Sequence, residues 1–176
     1  MAKTVVILGG GAGGVVAANV LSKTIPPGNR IILVDRKESH HYQSSYPLLM
    51  INRRRPGQVA RRLDRLQKKG IEFFQATVKR VLPLHKRVET DRGSLDGDFL
   101  IIALGAEHHP ETVPGMAEGS YNPWSFEGAC RLRQKLYRFT RGKIVLFISS
   151  LPFSCPPAPY EIMFLLDDFF RRRGLR

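Results

Sequence analysis

Short runs of apolar residues alternate along the chain with segments in which apolar residues recur every three or four positions. The first run, residues 5–8, contains four apolar residues in succession and predicts a strand buried on both faces. A helix is expected over 15–21, and a second buried strand over 30–34 ends at Asp35. These elements predict a βαβ unit at the start of the chain.

The pattern continues with one longer helix and a third strand. Pro56 favours a helix start and Gly70 is a typical stop, so we expect a helix over 56–69. The apolar face of this predicted helix is formed by Val59, Leu63 and Leu66, and the opposite face carries arginines. The run 71–76 then predicts a third strand.

Shorter extended segments follow, at 78–82 and 87–90, with a turn at 91–93. Their lengths and the glycine in the turn predict a small antiparallel meander inserted into the parallel sheet. The chain returns to a buried strand over 99–104. Two small residues, Gly105 and Ala106, directly follow that strand in sequence and would let a ligand approach the backbone closely.

A change of composition divides the chain in two. Residues 107–122 are rich in proline, glycine and charge, and we place the domain boundary there. The prediction is a first domain over 1–112, and the beginning of a second domain over 113–176.

The second region predicts a helix, a strand and a helix. Ser125 is placed to cap a helix over 126–139, a strand is expected over 143–149, and the last helix over 159–173. One strand with one helix cannot bury itself as a parallel sheet. We therefore predict an α/β chain with a Rossmann-like domain, a parallel sheet and an inserted meander. An incomplete second βα domain follows, as in a portion of a longer protein.

Composition limits the possible classes. With 176 residues and 43% hydrophobic residues, the chain can bury a core. No apolar run approaches the roughly 20 residues of a membrane span, and the first strand begins too early to leave room for a signal peptide. We therefore expect a cytoplasmic protein. Two distant cysteines predict no disulfide framework.

The net charge of +13 comes mainly from arginine. One interpretation is a solvated surface whose acidic complement lies elsewhere, and the other is a peripheral attraction to anionic lipid on the inner face of a membrane. No motif with interleaved aromatic residues predicts nucleic-acid binding. A homo-oligomer is left open. The arginines cluster at Arg53, Arg54, Arg55, Arg61, Arg62, Arg65, Arg171, Arg172 and Arg173.

The first turn carries glycines with the spacing of a dinucleotide-binding site. Gly9 permits a tight bend, Gly11 lets backbone approach a pyrophosphate, and Gly14 allows close packing of the helix on the strand. Asp35 is placed to accept hydrogen bonds from an adenosine ribose, and would repel a 2′-phosphate. The alternative is an ordinary βαβ unit. FAD and NAD share this signal.

The second candidate turn, residues 149–159, contains prolines and no glycine. Because proline has no N–H and side chains obstruct a pyrophosphate, nicotinamide binding there is not expected. Cys155 lies in this turn just before a helix, where a nucleophilic or redox thiol is one interpretation and an inert cysteine the other. Cys130, within the predicted helix 126–139, is read as a packing residue.

The loop after Asp35 contains two adjacent histidines, His40 and His41. Adjacent residues cannot form a helical metal pair, and no cysteine or acid cluster is near them in sequence, so no metal site is predicted. We expect these histidines to be solvent-exposed or to lie near a flavin edge.

Three motifs together resemble those of sulfide:quinone oxidoreductases. They are Val-Val-Ile-Leu-Gly-Gly-Gly-Ala-Gly-Gly (5–14), Asp-Phe-Leu-Ile-Ile-Ala-Leu-Gly-Ala-Glu (98–107) and Cys-Pro-Pro-Ala-Pro-Tyr-Glu (155–161). The chain is also similar to the flavin subunit of flavocytochrome c sulfide dehydrogenase and, more distantly, to type II NADH dehydrogenases. The third motif is the most specific, and the resemblance covers only the first half of a typical member.

This resemblance implies FAD at the first turn. Cys155 would be one of the redox cysteines that take up sulfide sulfur and pass electrons to the flavin, which implies a quinone or another acceptor. Glu161 would assist proton transfer, although it equally suits the helix dipole. The implied cofactor-binding residues are Gly9, Gly11, Ala12, Gly14, Asp35, Arg36, Val78, Ala103, Gly105 and Ala106.

The resemblance also sets limits. In flavocytochrome relatives a cysteine in the loop after the second strand can bond the flavin, but this chain has Ser44 and Ser45 there, so non-covalent FAD is expected. The partner of Cys155 and the quinone pocket belong to a half of the family that the chain does not contain. The alternatives are a non-catalytic nucleotide- or flavin-binding fragment and an NADH-dependent flavoprotein dehydrogenase.

Overall fold

The structure is a computed structural model that describes residues 1–151, 153 and 155–175. Pro152 and Ser154, both in the predicted cysteine turn, lie outside the described residues, as does Arg176. The chain divides into two compact units. The first comprises Met1–His41 and Ala60–Glu107, and the second comprises Tyr42–Val59 and His108–Arg176.

The first unit contains the strands and one long helix. The strands are β1 (Thr4–Leu8), β2 (Arg30–Asp35), β3 (Ser39–His41), β4 (Ala60–Arg62), β5 (Ile71–Gln75), β6 (Val78–Leu82), β7 (Arg87–Thr90), β8 (Gly93–Asp96) and β9 (Phe99–Ile102). The helix is α1 (Ala12–Thr24), and 3₁₀ turns lie at Leu63–Lys69 and Pro83–His85.

A four-stranded parallel sheet with the order β5-β2-β1-β9 organises this unit. Its centre is fully buried at Ile7, Leu8 and Leu33. Burying one such side chain stabilises a fold by about 1.5–3 kcal/mol. The strands β6, β7 and β8 form a separate antiparallel meander. The predicted α/β class, parallel sheet and inserted meander are confirmed.

The predicted helix over 56–69 is wrong. A short helix α3 covers only Pro56–Val59, after which β4 pairs antiparallel with β3 and the 3₁₀ turn begins at Leu63. Val59 packs in the core of the second unit and Leu63 in that of the first. Two apolar residues that suit one helix face thus serve two cores, so the chain cannot remain one helix. Gly70 ends the turn in the left-handed conformation, at φ 72°.

The regular elements in the described part of the second unit are all helices or 3₁₀ turns. Its α-helices are α2 (Tyr46–Met50), α3, α4 (Met116–Gly119), α5 (Phe126–Arg138) and α6 (Ala158–Arg171), and its 3₁₀ turns are Gln43–Ser45 and Pro110–Thr112. The Ser125 side chain accepts the Gly128 N–H at 3.0 Å, as the predicted N-cap requires. The core joins Met50, Leu136, Ile162 and Leu166.

The predicted strand over 143–149 is also wrong, because those residues form no strand. Ile144 and Leu146 pack towards the core while Val145 and Phe147 are exposed, so the alternation that suggested a strand is present. A strand, however, needs a neighbour to satisfy its N–H and C=O groups. The described part of the second unit contains no β-strand to pair with it.

Candidate cofactor site at the carboxyl edge of the sheet

Three strands deliver candidate residues to one edge of the sheet. The central strand β1 ends at the glycine turn, β2 ends at Asp35, and β9 is followed by Ala103. Because β1 lies between β2 and β9, the crevice at this edge is the topological switch point where open α/β sheets bind ligands.

The glycine turn is packed too tightly for side chains at two positions. Gly9 has a φ of 103°, and a Cβ there would overlap the carbonyl oxygen of Ala103. A Cβ at Gly14 would overlap the carbonyl oxygen of Gly9 itself. Glycine is therefore required for the bend at one position and for the approach of α1 to the turn at the other.

Asp35 fastens this turn to the end of β2. Its Oδ2 accepts the Gly10 N–H at 2.6 Å and its Oδ1 accepts the Lys37 N–H at 2.7 Å. The Gly10 carbonyl oxygen lies 2.9 Å from Nδ1 of His40. The backbone N–H and the backbone carbonyl of Gly10 are thus each in contact with a side chain from another segment, Asp35 and His40. A carboxylate has room for further donors beyond these two, such as ribose hydroxyls.

The N-terminus of α1 begins at Gly11, and a Cβ there would meet no atom within 4 Å. Gly11 provides no side-chain cap, and the first helical turn has no acid. Ala12 is exposed. An open helix end with unpaired N–H groups and a positive dipole suits a diphosphate. Together with the Asp35 carboxylate, these residues fit an adenine dinucleotide.

The remaining implied cofactor residues of the first unit lie in varied settings. Arg36 is exposed and pairs with Glu107, whose hydrogen bond and charge raise the pKa of the guanidinium. Val78 packs against the core cluster on one side of the sheet. Ala103 is half-buried and donates its N–H to the Leu8 carbonyl at 2.8 Å. The two residues beyond Leu104, Gly105 with φ 76° and Ala106, are exposed.

Cys155 and Glu161 belong to the second unit. Cys155 is a free, exposed cysteine whose carbonyl accepts the Ala158 N–H at 3.1 Å, in a turn that leads into α6. Glu161 is exposed in the first turn of α6 and donates its N–H to Pro157. The Cys155 thiol is therefore accessible to solvent, three residues before the start of α6. Whether these two residues are catalytic stays a prediction.

Cys130 differs from Cys155. It is half-buried and packs with Phe126 against Tyr46, Leu49 and Val59. Burial raises the pKa of its thiol, and the charge of Glu127 acts in the same direction, against Arg133. These surroundings disfavour the reactive thiolate.

Sequence patterns did not predict that His40 contacts Gly10. They also did not predict that Leu63 packs against Gly10, so closely that a Cβ added at Gly10 would lie 2.5 Å from the Cδ1 of Leu63. Both contacts depend on the pairing of β3 with β4, which the expected helix over 56–69 concealed. No group of three histidine, cysteine or acidic side chains suited to a metal ion occurs within residues 1–151, 153 and 155–175.

Several clustered arginines pair with acids of their own unit. Arg62 contacts Asp64 and Glu38, Arg53 contacts Asp168, and the two pairs within α6 and its end are Arg171 with Asp167 and Arg172 with Asp168. Exposed pairs of this kind contribute little stability. They do show that part of the positive surface has a local acidic complement.

A family model for pyridine nucleotide-disulphide oxidoreductases matches residues 3–146, so the chain belongs to this family. The family binds FAD, which confirms at family level the cofactor expected from the glycine turn. Mitochondrial sulfide:quinone oxidoreductase from Mus musculus is 28% identical over 152 residues, covering 83% of this chain and 34% of that protein. The resemblance to sulfide:quinone oxidoreductases is thereby confirmed.

Two further matches extend the comparison. The crystal structure of sulfide:quinone oxidoreductase from Aquifex aeolicus matches with a TM-score of 0.69 and 28% identity, over 77% of this chain and 32% of that one. The alternative NAD(P)H-ubiquinone oxidoreductase C1 of Arabidopsis thaliana is 31% identical over 128 residues, covering 64% of this chain and 25% of that protein.

The chain thus spans about a third or less of the length of these curated relatives. Among the helices of the described ranges, none combines the length and the apolar character needed to cross a bilayer.

Proposed function

We propose that the protein is an FAD-dependent oxidoreductase that takes electrons from sulfide or a small thiol through Cys155 and passes them to a quinone or another acceptor. The observation that carries the proposal is that one chain contains both an open glycine turn and an exposed cysteine just ahead of α6. The similarity to sulfide:quinone oxidoreductases from Mus musculus and Aquifex aeolicus supports it.

In this proposal the first unit holds the cofactor non-covalently. The diphosphate lies against the N–H groups at the start of α1, with Gly11 leaving space for it, and the Asp35 carboxylate accepts the ribose hydroxyls. The turn is already fixed by Asp35 and His40, so little ordering is needed on binding. When bound, FAD supplies the capacity to accept two electrons.

The sulfur chemistry belongs to Cys155. Hydrosulfide attacks Cys155 when its sulfur is bonded in a disulfide to a second cysteine, which the resemblance places in the half of the family that the chain does not contain. A new S–S bond forms between Cys155 and the incoming sulfur, the old S–S bond breaks, and the second cysteine leaves as a thiolate. Sulfide sulfur is oxidised and the former disulfide is reduced by the same electron pair. Glu161, in the first turn of α6, is proposed to accept the proton of the incoming hydrosulfide. The chemistry requires an accessible sulfur, and Cys155 is exposed.

Because membrane quinones are dissolved in the lipid bilayer, a protein that reduces them must reach a membrane surface. We propose a peripheral position on the inner face of a cytoplasmic membrane. Arg54 and Arg55 support this, because the structure shows no acidic partner for either among the described residues. Lys and Arg near an anionic surface are attracted by about 1 kcal/mol each. Flotation with vesicles that contain anionic lipid, compared with neutral vesicles, tests this location.

The similarity to an alternative NAD(P)H-ubiquinone oxidoreductase favours a second candidate, NADH oxidation. Anaerobic titration distinguishes the two, in the FAD-loaded chain joined to the second half of a sulfide:quinone oxidoreductase, which supplies the second cysteine. Our proposal predicts that sulfide bleaches the flavin absorbance, that Cys155→Ser abolishes this bleaching and that Cys130→Ser retains it. Bleaching by NADH with no response to sulfide supports the second candidate. A response to neither favours a non-catalytic flavin-binding protein.

A further inference from the structure

The second unit contains a cleft that the proposed oxidoreductase does not use. It has a volume of about 370 Å³ and opens to solvent. That volume is near the lower end of the range for small-molecule sites, about 300–1,000 Å³. The lining residues are Asn52, Arg133, Gln134, Tyr137, Arg138 and Phe169.

One part of the cleft is aromatic, and a single arginine contacts both of its rings. The Arg173 guanidinium lies 5.4 Å from the ring centroid of Tyr137 and 5.2 Å from that of Phe169. The same guanidinium donates to the carbonyls of Leu136 and Tyr137, at 2.9 and 2.8 Å. One side chain therefore ties the end of α5 to both rings, which fixes two flat apolar surfaces in the cleft.

Another part of the cleft is cationic. Arg133 donates from Nε to Oδ1 of Asn52 at 2.7 Å, so its position is fixed while its terminal nitrogens keep donors for a ligand. Asn52 adopts a left-handed conformation, with φ 63°, and its short polar side chain tolerates this backbone. Within residues 1–151, 153 and 155–175, the side chain of Arg138 has no hydrogen-bond or ion-pair partner.

Asp168, the neighbour in sequence of the lining residue Phe169, does not form an ion pair with Arg133 or Arg138. Asp168 precedes Phe169, and its carboxylate pairs instead with Arg53 at 3.1 Å and with Arg172 at 2.8 Å. The cleft thus combines two guanidinium groups with two aromatic surfaces. Guanidinium groups bind carboxylate, sulfonate and phosphate groups through paired hydrogen bonds, and they stack on flat rings.

We propose that this cleft binds a small organic anion, in which a flat apolar body carries a carboxylate, sulfonate or phosphate group. The body lies against Tyr137 and Phe169, and the anionic group lies between Arg133 and Arg138. The volume limits the body to about one or two fused rings. The site is independent of the glycine turn and of Cys155, so it does not rest on the proposed function.

The test uses naphthalene-2-sulfonate, a flat anion of two fused rings, and 2-naphthol, which has the same rings but is uncharged near neutral pH. Binding to the full chain is followed by fluorescence titration. We expect Arg138→Gln to weaken binding of the sulfonate by about three- to fivefold, and the double change with Arg133→Gln to weaken it further. Binding of the neutral naphthol should change little in both variants.

Lys135→Gln is the matched control, because Lys135 is exposed in the same last turn of α5 but does not line the cleft. It should leave both affinities unchanged, and Arg138→Lys should restore part of the sulfonate affinity. Circular dichroism confirms that each variant is folded. Equal sulfonate affinity in the native chain and the double variant overturns the proposal. Equal weakening by Lys135→Gln does so as well, because it would show a general charge effect.

Discussion

The carboxylate of Asp35 accepts the Gly10 N–H at 2.6 Å, which joins the end of the second strand to the middle of the glycine turn. The same carboxylate accepts the Lys37 N–H, so two backbone donors converge on it. Asp35 therefore has a structural role in the chain before any ribose is considered. A residue first noticed as a candidate ligand for a nucleotide also holds the turn that the nucleotide needs.

Asp35→Asn is expected to lower the free energy of unfolding by about 1–2 kcal/mol without added FAD. The amide oxygen can replace one acceptor, but the amide nitrogen is a donor and faces the second N–H unpaired. Urea unfolding followed by circular dichroism measures the change. Glu118→Gln, at an exposed acid of α4, should have little effect. Equal stability of the two variants would contradict the bracing role.

Gly14→Ala is expected to destabilise the chain by about 3 kcal/mol or to prevent folding, because the added methyl group overlaps the Gly9 carbonyl oxygen. The adjacent glycine provides the control. A Cβ at Gly13 would lie 3.6 Å from the Cβ of Ala103, an ordinary contact, and alanine is the better helix former. Thermal unfolding compares the pair. Unfolding of Gly14→Ala and Gly13→Ala at the same temperature would show that Gly14 is not closely packed against Gly9.

Acid should weaken the first unit partly through Asp98. The Lys3 ammonium at 2.7 Å and the Thr4 N–H at 2.8 Å hold the pKa of Asp98 below its ordinary value near 3.8. Because the pKa is lower in the folded chain, the contribution is complete above the ordinary value. It is lost as the pH falls through the lower, folded-state pKa.

Urea midpoints measured from about pH 6 to about pH 3 test this expectation. In the Asp98→Asn variant the midpoint should fall less steeply below about pH 4 than in the native chain. The same steepness in both proteins would show that Asp98 does not contribute to the acid sensitivity.

The two cysteines should react at different rates. Cys155 is exposed, whereas Cys130 is half-buried and burial raises its pKa, which lowers its thiolate fraction near neutral pH. With limiting maleimide, mass spectrometry should find the label on Cys155 first. Cys130→Ser should keep the fast reaction and Cys155→Ser should lose it. Labelling of Cys130 at an equal rate would contradict the different surroundings that we describe.

The parallel sheet, the meander and the capped helix α5 were predictable because local signals agree there with the final fold. The interval 56–69 was not, because Val59 and Leu63 suit one helix face but pack in two cores. Residues 143–149 have the alternation of a strand, and sequence could not reveal that no partner strand is present in the described part of their unit. The contact of His40 with Gly10 likewise depends on strand pairing between distant segments.

The central claim is that the open end of α1 at Gly11 receives the diphosphate of FAD, and calorimetric titration with FAD tests it most directly. Gly11→Ala adds a methyl group that meets no protein atom within 4 Å, so the variant should stay folded but bind FAD on the order of tenfold more weakly. Gly119→Ala adds the same group in open space in the second unit and should bind FAD like the native chain. Undiminished FAD affinity in a folded Gly11→Ala variant would contradict the account.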